Sequence, residues 1–268
     1  MKIGFVQFSP IFGSADKNSD HINELAADKS FDLLVLPELA NSGYLFIRAE
    51  ELRDYSESIH NGKFCKALIN LSKQKNAFIV SGICENYKGK FYNSSVLVKP
   101  NGEVITYRKI QLFYEEKKWF MPGNIPLSVH EISGSGFKNV KIGMMVCFDW
   151  IFPEVARTLA LKGAQIICHP ANLVMPYCQD AMVTRALENH VFTVTANRIG
   201  TEKNDGSELI FTGMSEIVNP KGKILYRSPE KTEECVILDI DPELALDKNI
   251  NPHNNLFTDR REEFYFDK

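Results

Sequence analysis

The residue with most to offer chemically is Cys147, in the segment KIGMMVCFDWIFPE over residues 141–154. An apolar run, Ile142 to Val146, leads into it, and Pro153-Glu154 then opens a helical pattern. These signals predict a thiol at a strand-to-helix turn, where backbone N–H groups and the positive end of a helix favour a thiolate. A cysteine nucleophile also needs a base, an oxyanion stabiliser, a proton for the leaving group and access for water. Glu38 follows the apolar run of DLLVLPELANSGY, and Pro37 ends that strand so that the next side chain leaves its carboxyl end. A carboxylate at the rim of an apolar strand is partly desolvated, which suits a general base; a solvated loop glutamate is the plain alternative. Lys109, in VITYRKIQLFYEEKKWFMPG, ends a strand among apolar and aromatic neighbours. It is a candidate oxyanion clamp, against the plainer reading of a surface lysine. Glu116 is placed to pair with Lys109 and keep it charged, Glu115 competes for that role, and either also reads as exposed.

Short apolar runs alternating with helical patterns must position these residues. Strands are predicted at Ile3 to Phe8, Leu33 to Leu36, Ala77 to Cys84, Val140 to Val146, Gln165 to Cys168 and Val191 to Ala196. Helices are predicted at Lys17 to Ala27 (capped by Asp16), Lys63 to Lys75, Pro153 to Lys162 and Gln179 to Asn189. Pro100-Asn101-Gly102 joins Tyr92 to Val98 with Glu103 to Arg108, and Asn219 to Gly222 joins Glu216 to Val218 with Lys223 to Tyr226; both read as hairpins. Cys235 to Ile240 closes the sheet region. Runs such as LLVL and AFIV are apolar at every position, so these strands should be buried on both faces under helices. The class is α/β with mixed sheets. Nothing reads as a linker, a repeat or a low-complexity block, and residues 1–268 read as one domain.

The chain has 268 residues, 44% of them hydrophobic, and a net charge of −3. Its Lys and Arg do not cluster, which argues against nucleic acid or an anionic membrane as partner. The opening MKIGFVQF reads as a strand, and no apolar run reaches the ~20 residues of a membrane span, so a cytoplasmic protein is expected. Six cysteines at irregular spacing, without a CxxC, make a disulfide framework unexpected, and all but Cys147 read as small buried hydrophobes. Cys168-His169, Cys178, His190 and Asp149 lack the tight local pairs of a metal site, so no metal or other cofactor is expected. His169 reads as a loop residue near the site, and Asp149 and Arg185 as a candidate ion pair behind the nucleophile. Tyr44, Phe113, Trp119 and Trp150 are candidate pocket walls, with core packing as the alternative. Asn172 is a candidate substrate contact or a turn brace.

The ordered set is more specific than its members. Glu in LPE, Lys in YRK, Glu in EEK and Cys in VCFDWIFPE, with the opening KIGFVQFSP, FMPGN, HPANLV, RALENHVFTVTANR and the terminal DRREEFYF, resembles the nitrilase (carbon–nitrogen hydrolase) superfamily over nearly the whole chain. The resemblance implies a four-layer α-β-β-α sandwich. It assigns catalytic roles to Glu38, Lys109, Glu116 and Cys147, with the Phe148 backbone N–H as a second oxyanion donor. It implies a homodimer or higher homo-oligomer, packed through helices near the nucleophile, with the tail at about 249–268 docking on the partner subunit. The implied reaction is hydrolysis of a small amide to acid and ammonia through a thioester. A nitrilase acting on a small nitrile, or an N-carbamoyl amidohydrolase, would use the same residues. A glutaminase module would need an ATP-binding partner, and no GxxxxGK[ST] is present. An inert binding scaffold disagrees with four filled catalytic positions.

Overall fold

The structure, a computed structural model, describes residues 1–265. In chain order it runs β1 (Lys2–Gln7), α1 (Ala15–Ala26), β2 (Leu33–Val35), α2 (Ala49–Tyr55), α3 (Lys63–Lys75), β3 (Phe78–Tyr87), β4 (Lys90–Val98), β5 (Val104–Arg108) and α4 (Glu116–Trp119). It continues with β6 (Val129–Gly134), β7 (Phe137–Met144), a 3-10 turn (Cys147–Ile151), α5 (Pro153–Leu161), β8 (Ile166–Ala171), α6 (Cys178–Asn189) and β9 (Phe192–Asn197). The last elements are β10 (Thr201–Asn204), β11 (Ser207–Ile210), β12 (Glu216–Val218), β13 (Ile224–Arg227), β14 (Glu234–Asp239), and a small ladder of β15 (Asn249–Asn251) with β16 (Asn254–Asn255).

Side-chain alternation along the strands builds the layers. Ile3 and Phe5 of β1, Leu33 and Val35 of β2, and Phe78 and Val80 of β3 pack toward the second sheet, against Ile142, Ile166 and Val194. The intervening Val6, Leu34 and Ile79 face the other way, onto Ile22 of α1 and Phe64 and Leu68 of α3. Period-two burial on both faces is the reason LLVL carries no polar position. On the far side of the second sheet, Val155 and Leu159 of α5 and Met182 of α6 complete the outer layer. The result is the α-β-β-α sandwich expected from the sequence.

The two sheets have orders β14-β1-β2-β3-β4-β5 and β6-β7-β8-β9-β12-β13. In each, read in those orders, the pairings run antiparallel, parallel, parallel, antiparallel, antiparallel. The two sheets therefore share one pairing pattern, with β14 from late in the chain taking in the first sheet the place that β6 takes in the second. The parallel strands β2 and β8 lie at the middle of their sheets, and the loops leaving the carboxyl ends of β2, β5 and β7 meet at one end of the sandwich, as the hydrogen bonds described below show.

The sequence boundaries held within a few residues for most elements. Helix α1 begins at Ala15 with Ser14 at its N-cap, not Asp16, and β7 ends at Met144, before Val146. Helix α2, strand β6 and the β10–β11 hairpin have no counterpart in the sequence reading. In the tail, Phe257 packs under Arg157 of α5, 5.5 Å from its ring centroid, while Phe264 and Tyr265 are exposed. The end of the DRREEFYF segment, residues 266–268, lies outside the described residues. All six cysteines are free and buried. Among the described residues no helix is long and apolar enough to cross a membrane, and no cluster of three His, Cys, Asp or Glu could hold a metal ion.

Candidate active site

Glu38 stands in the loop after β2, and its approach to the neighbouring strand depends on a glycine. Gly82 of β3 donates its N–H to Pro37 O (3.0 Å), and its own carbonyl accepts from Ala40 N (3.1 Å). A Cβ at Gly82 would run into the Glu38 Cα and the Leu39 amide, so only glycine lets the two backbones lie this close. Leu39, next in the chain, takes a left-handed φ of 46°, which turns the loop back over the strand end.

Lys109 follows β5 directly. Its N–H donates to Asn93 O (2.8 Å), and its carbonyl accepts from Gly123 N (2.8 Å), so the backbone is held from both sides. The side chain, 0% exposed, places Nζ 2.7 Å from Glu38 Oε1 and 2.7 Å from Glu116 Oε1. Asn93 serves twice, because its Nδ2 also donates to Glu38 Oε1 (2.7 Å). Glu116 begins α4 and accepts from the Tyr44 hydroxyl (2.7 Å) and the Phe113 N–H (3.2 Å). Its rival Glu115 points to the surface and pairs with Lys118. Glu38 Oε2 is buried without a partner.

Cys147 opens the 3-10 turn with φ 41°, a left-handed conformation that a non-glycine residue adopts at a cost. Two buried side chains hold that turn. Asp149 Oδ2 accepts from the Val146 N–H (2.9 Å) and from the Tyr107 hydroxyl (2.7 Å), and its Oδ1 lies 3.4 Å from the Gln111 N–H that it accepts. Asp149 thus ties the nucleophile turn to the segment that carries Lys109. His169 Nε2 lies 3.0 Å from the Cys147 carbonyl and Nδ1 3.2 Å from the Thr195 hydroxyl. A carbonyl only accepts, so Nε2 carries the proton and Thr195 donates to Nδ1.

The electrostatics follow from burial around one cation. Burial works against the Lys109 ammonium, but Glu116 and Glu38 outweigh it and raise its affinity for the proton. Burial raises the Glu116 carboxyl, with Lys109 pulling the other way and Glu38 adding to the rise. Burial, then Glu38, push the Cys147 thiol well up, and Lys109 only partly offsets them. The thiolate expected from the sequence is therefore not the resting form. The α5 helix starts six residues later, at Pro153, and a third negative charge beside one ammonium is unfavourable. Burial also lowers His169 to about 4, so it is neutral, and raises Asp149 to about 6.

Two cavities adjoin this cluster. One, of about 340 Å³, opens at Cys147 and is walled by Phe113, Phe148, Trp150, Asn172, Val174 and Tyr177 among others. The other, of about 350 Å³, is lined by Tyr44, Trp119 and Glu116 and shares Phe113 and Val174 with the first. Tyr44 is more than a wall, since it donates to Glu116. The Nδ2 and Oδ1 of Asn172 are both buried without a partner, and its backbone N–H weakly favours the thiolate at Cys147. The ion pair expected between Asp149 and Arg185 does not form. Arg185 donates to Trp150 O (3.2 Å) and Glu188 (2.9 Å), and the carboxylate of Asp149 is taken up by its backbone and tyrosine donors. His169 is a strand residue of β8 rather than a loop residue. Asn93 was missed; its only sequence signal is a polar side chain inside the strand FYNSSVLV.

A sandwich whose loops bring Glu, Lys, Glu and Cys to one end defines a carbon–nitrogen hydrolase, and the chain belongs to that family. The family's carbon-nitrogen hydrolase profile matches residues 2–247. A protein from Pyrococcus abyssi described as a nitrilase is 44% identical, over 99% of each chain. An (R)-stereoselective amidase from Pseudomonas sp. is 34% identical over 90% of this chain and 86% of its own. Among solved structures, an amidase from Nesterenkonia sp. superposes with a TM-score of 0.74 at 26% identity, covering 92% of each chain.

Proposed function

We propose that the chain hydrolyses the C–N bond of a small amide, giving a carboxylic acid and ammonia, with Cys147 as nucleophile. The observation that carries this reading is the Lys109 ammonium gripped at 2.7 Å by both Glu38 and Glu116, with its charge felt at the Cys147 thiol. Because the thiol rests neutral, attack on the carbonyl carbon requires a base, and Glu38, with one buried oxygen unpartnered, takes the proton as the S–C bond forms. The Lys109 ammonium and the Phe148 backbone N–H receive the oxyanion. Glu38 returns the proton to the leaving nitrogen, ammonia departs, and a thioester stays on Cys147. Glu38 then draws a proton from water, which attacks the thioester and releases the acid and the thiol. Glu116 keeps Lys109 charged and in place throughout.

The aromatic and aliphatic walls at Cys147 suit a short neutral acyl group, with Phe113, Trp150 and Asn172 beside it and Tyr44 and Trp119 on the Glu116 side. Residues 1–268 act as one catalytic unit, in the cytoplasm and as a homodimer or higher homo-oligomer; the exposed Phe264 and Tyr265 within the tail support a docking role for it. A nitrile is the second substrate reading, favoured by the description of the 44% identical relative. The deciding experiment is ammonia release from matched short-chain amides, nitriles and N-carbamoyl compounds, with Cys147→Ala as control. Fastest release from the amides, lost in the variant, is expected. Release that survives Cys147→Ala rejects the nucleophile, and release from nitriles alone rejects the amide.

A further inference from the structure

We infer that Glu202, held by Arg198, is a positioning residue of this site: it fixes the loop that hangs the Tyr44 hydroxyl on Glu116. The inference rests on the catalytic reading above. Glu202 lies on β10 and Arg198 just after β9, and both side chains are nearly inaccessible, at 4% and 1% exposure. Both oxygens of the carboxylate are engaged. Oε2 takes the Arg198 guanidinium at 2.6 Å, and Oε1 takes the backbone N–H groups of Tyr44 (2.8 Å) and Leu45 (2.5 Å). A second route reaches the same tyrosine. The Arg198 guanidinium lies 4.0 Å over the Phe211 ring, which meets the Tyr44 ring edge-on at 6.1 Å and 84°. The hairpin's Asn204 ties Leu45 O to Glu51 (2.9 Å each).

A buried ion pair is a poor source of stability, because desolvation offsets most of its attraction. What this pair does achieve is geometric. Gly43 to Leu45 are a loop without regular structure, and the carboxylate gives two consecutive amides one common acceptor. That orients Tyr44 so that its hydroxyl reaches Glu116 Oε1, the oxygen that also holds Lys109. Glu116 is faced by Lys109, Tyr44, Glu38 and the Phe113 N–H, and losing the tyrosine donor makes its carboxylate harder to keep ionised.

The test is a double-mutant cycle of Glu202→Gln and Tyr44→Phe, read as kcat, KM and the pH–rate profile of the Cys147-dependent activity, with thermal melts as a folding control. Glu202→Gln should lower kcat by about ten-fold, the size expected for losing one charge-assisted hydrogen bond, with KM little changed. The acid limb should move to higher pH. Tyr44→Phe should do the same, and Glu202→Gln should cost nothing further in the Tyr44→Phe background. Should Glu202→Gln not fold, Asn204→Ala, which loosens the same loop from the hairpin edge, enters the cycle with a smaller but equally non-additive effect. Full kcat in the single variant, a change in KM alone, or effects that multiply in the double variant overturn the inference. Failure of the catalytic reading looks different: turnover would persist in Cys147→Ala with Glu202 intact.

Discussion

At the scale of single residues the site is an arrangement for keeping one cation buried. Two carboxylates at 2.7 Å hold Lys109 charged where solvent would otherwise be needed. Burial, with Glu38 adding to it, works against a thiolate at Cys147, so in the proposed mechanism the nucleophile is generated as a substrate carbonyl accepts its electrons. Lys109→Ala should therefore lower kcat by at least ~100-fold, the usual effect of losing an oxyanion donor. Steady-state kinetics on the best amide, with circular dichroism to verify folding, measures it. Equal activity of this variant and wild type would remove Lys109 from the mechanism.

At the scale of elements, the grouping of Glu38, Lys109 and Cys147 depends on how closely three strand ends approach one another. Gly82 sets one of these approaches. Gly82→Ala should push the Glu38 loop off β3, cost roughly 1–3 kcal/mol as overpacking does, and lower turnover with it; denaturant melts and kinetics check both. The double-sided burial of LLVL and both turn-linked hairpins were legible because each depends on local residue type: a proline end, Asn and Gly in the turns and apolar alternation; the grouping of Glu38, Lys109, Glu116 and Cys147 was legible only from the ordered set of motifs. What escaped reading is long-range. Asn93 is one polar letter in a strand until the fold sets it beside Glu38, 55 positions away. His169 gains meaning only from a carbonyl on another loop. The β10–β11 hairpin, TEKNDGSELI, has mostly polar strands that cover a loop rather than the core, so the apolar signal of a strand is faint there. The helix start at Pro153 was legible, but the burial of the sulfur and the nearness of Glu38, which both work against a thiolate, were not, because they depend on the packed fold.

At the scale of the whole molecule, two sheets of one pairing pattern meet across a shared apolar core, and the buried polar residues that organise the site also shape its acid stability. His169, lowered by burial from 6.5 to about 4, stays neutral in the fold while the unfolded chain gains a proton. Its contribution is complete above pH 6.5 and is lost as the pH falls toward 4, a difference of about 3 kcal/mol. Asp149, raised to about 6, has the opposite sign: the contribution of its tighter proton binding is present below 3.8 and is lost as the pH rises through 6. The two slopes offset each other in the wild type. The advantage of wild type over His169→Gln in urea unfolding should accordingly shrink as the pH is lowered from 7 to 4; a constant gap would contradict a neutral buried His169. The most direct test of the central claim is the intact mass of the protein after a pulse of amide substrate, quenched in acid. One acyl group bound as a thioester and mapped to Cys147, absent from Cys147→Ala, is the expected result. Turnover with no adduct under conditions that trap thioesters, or an acyl group mapped to another residue, would contradict the account.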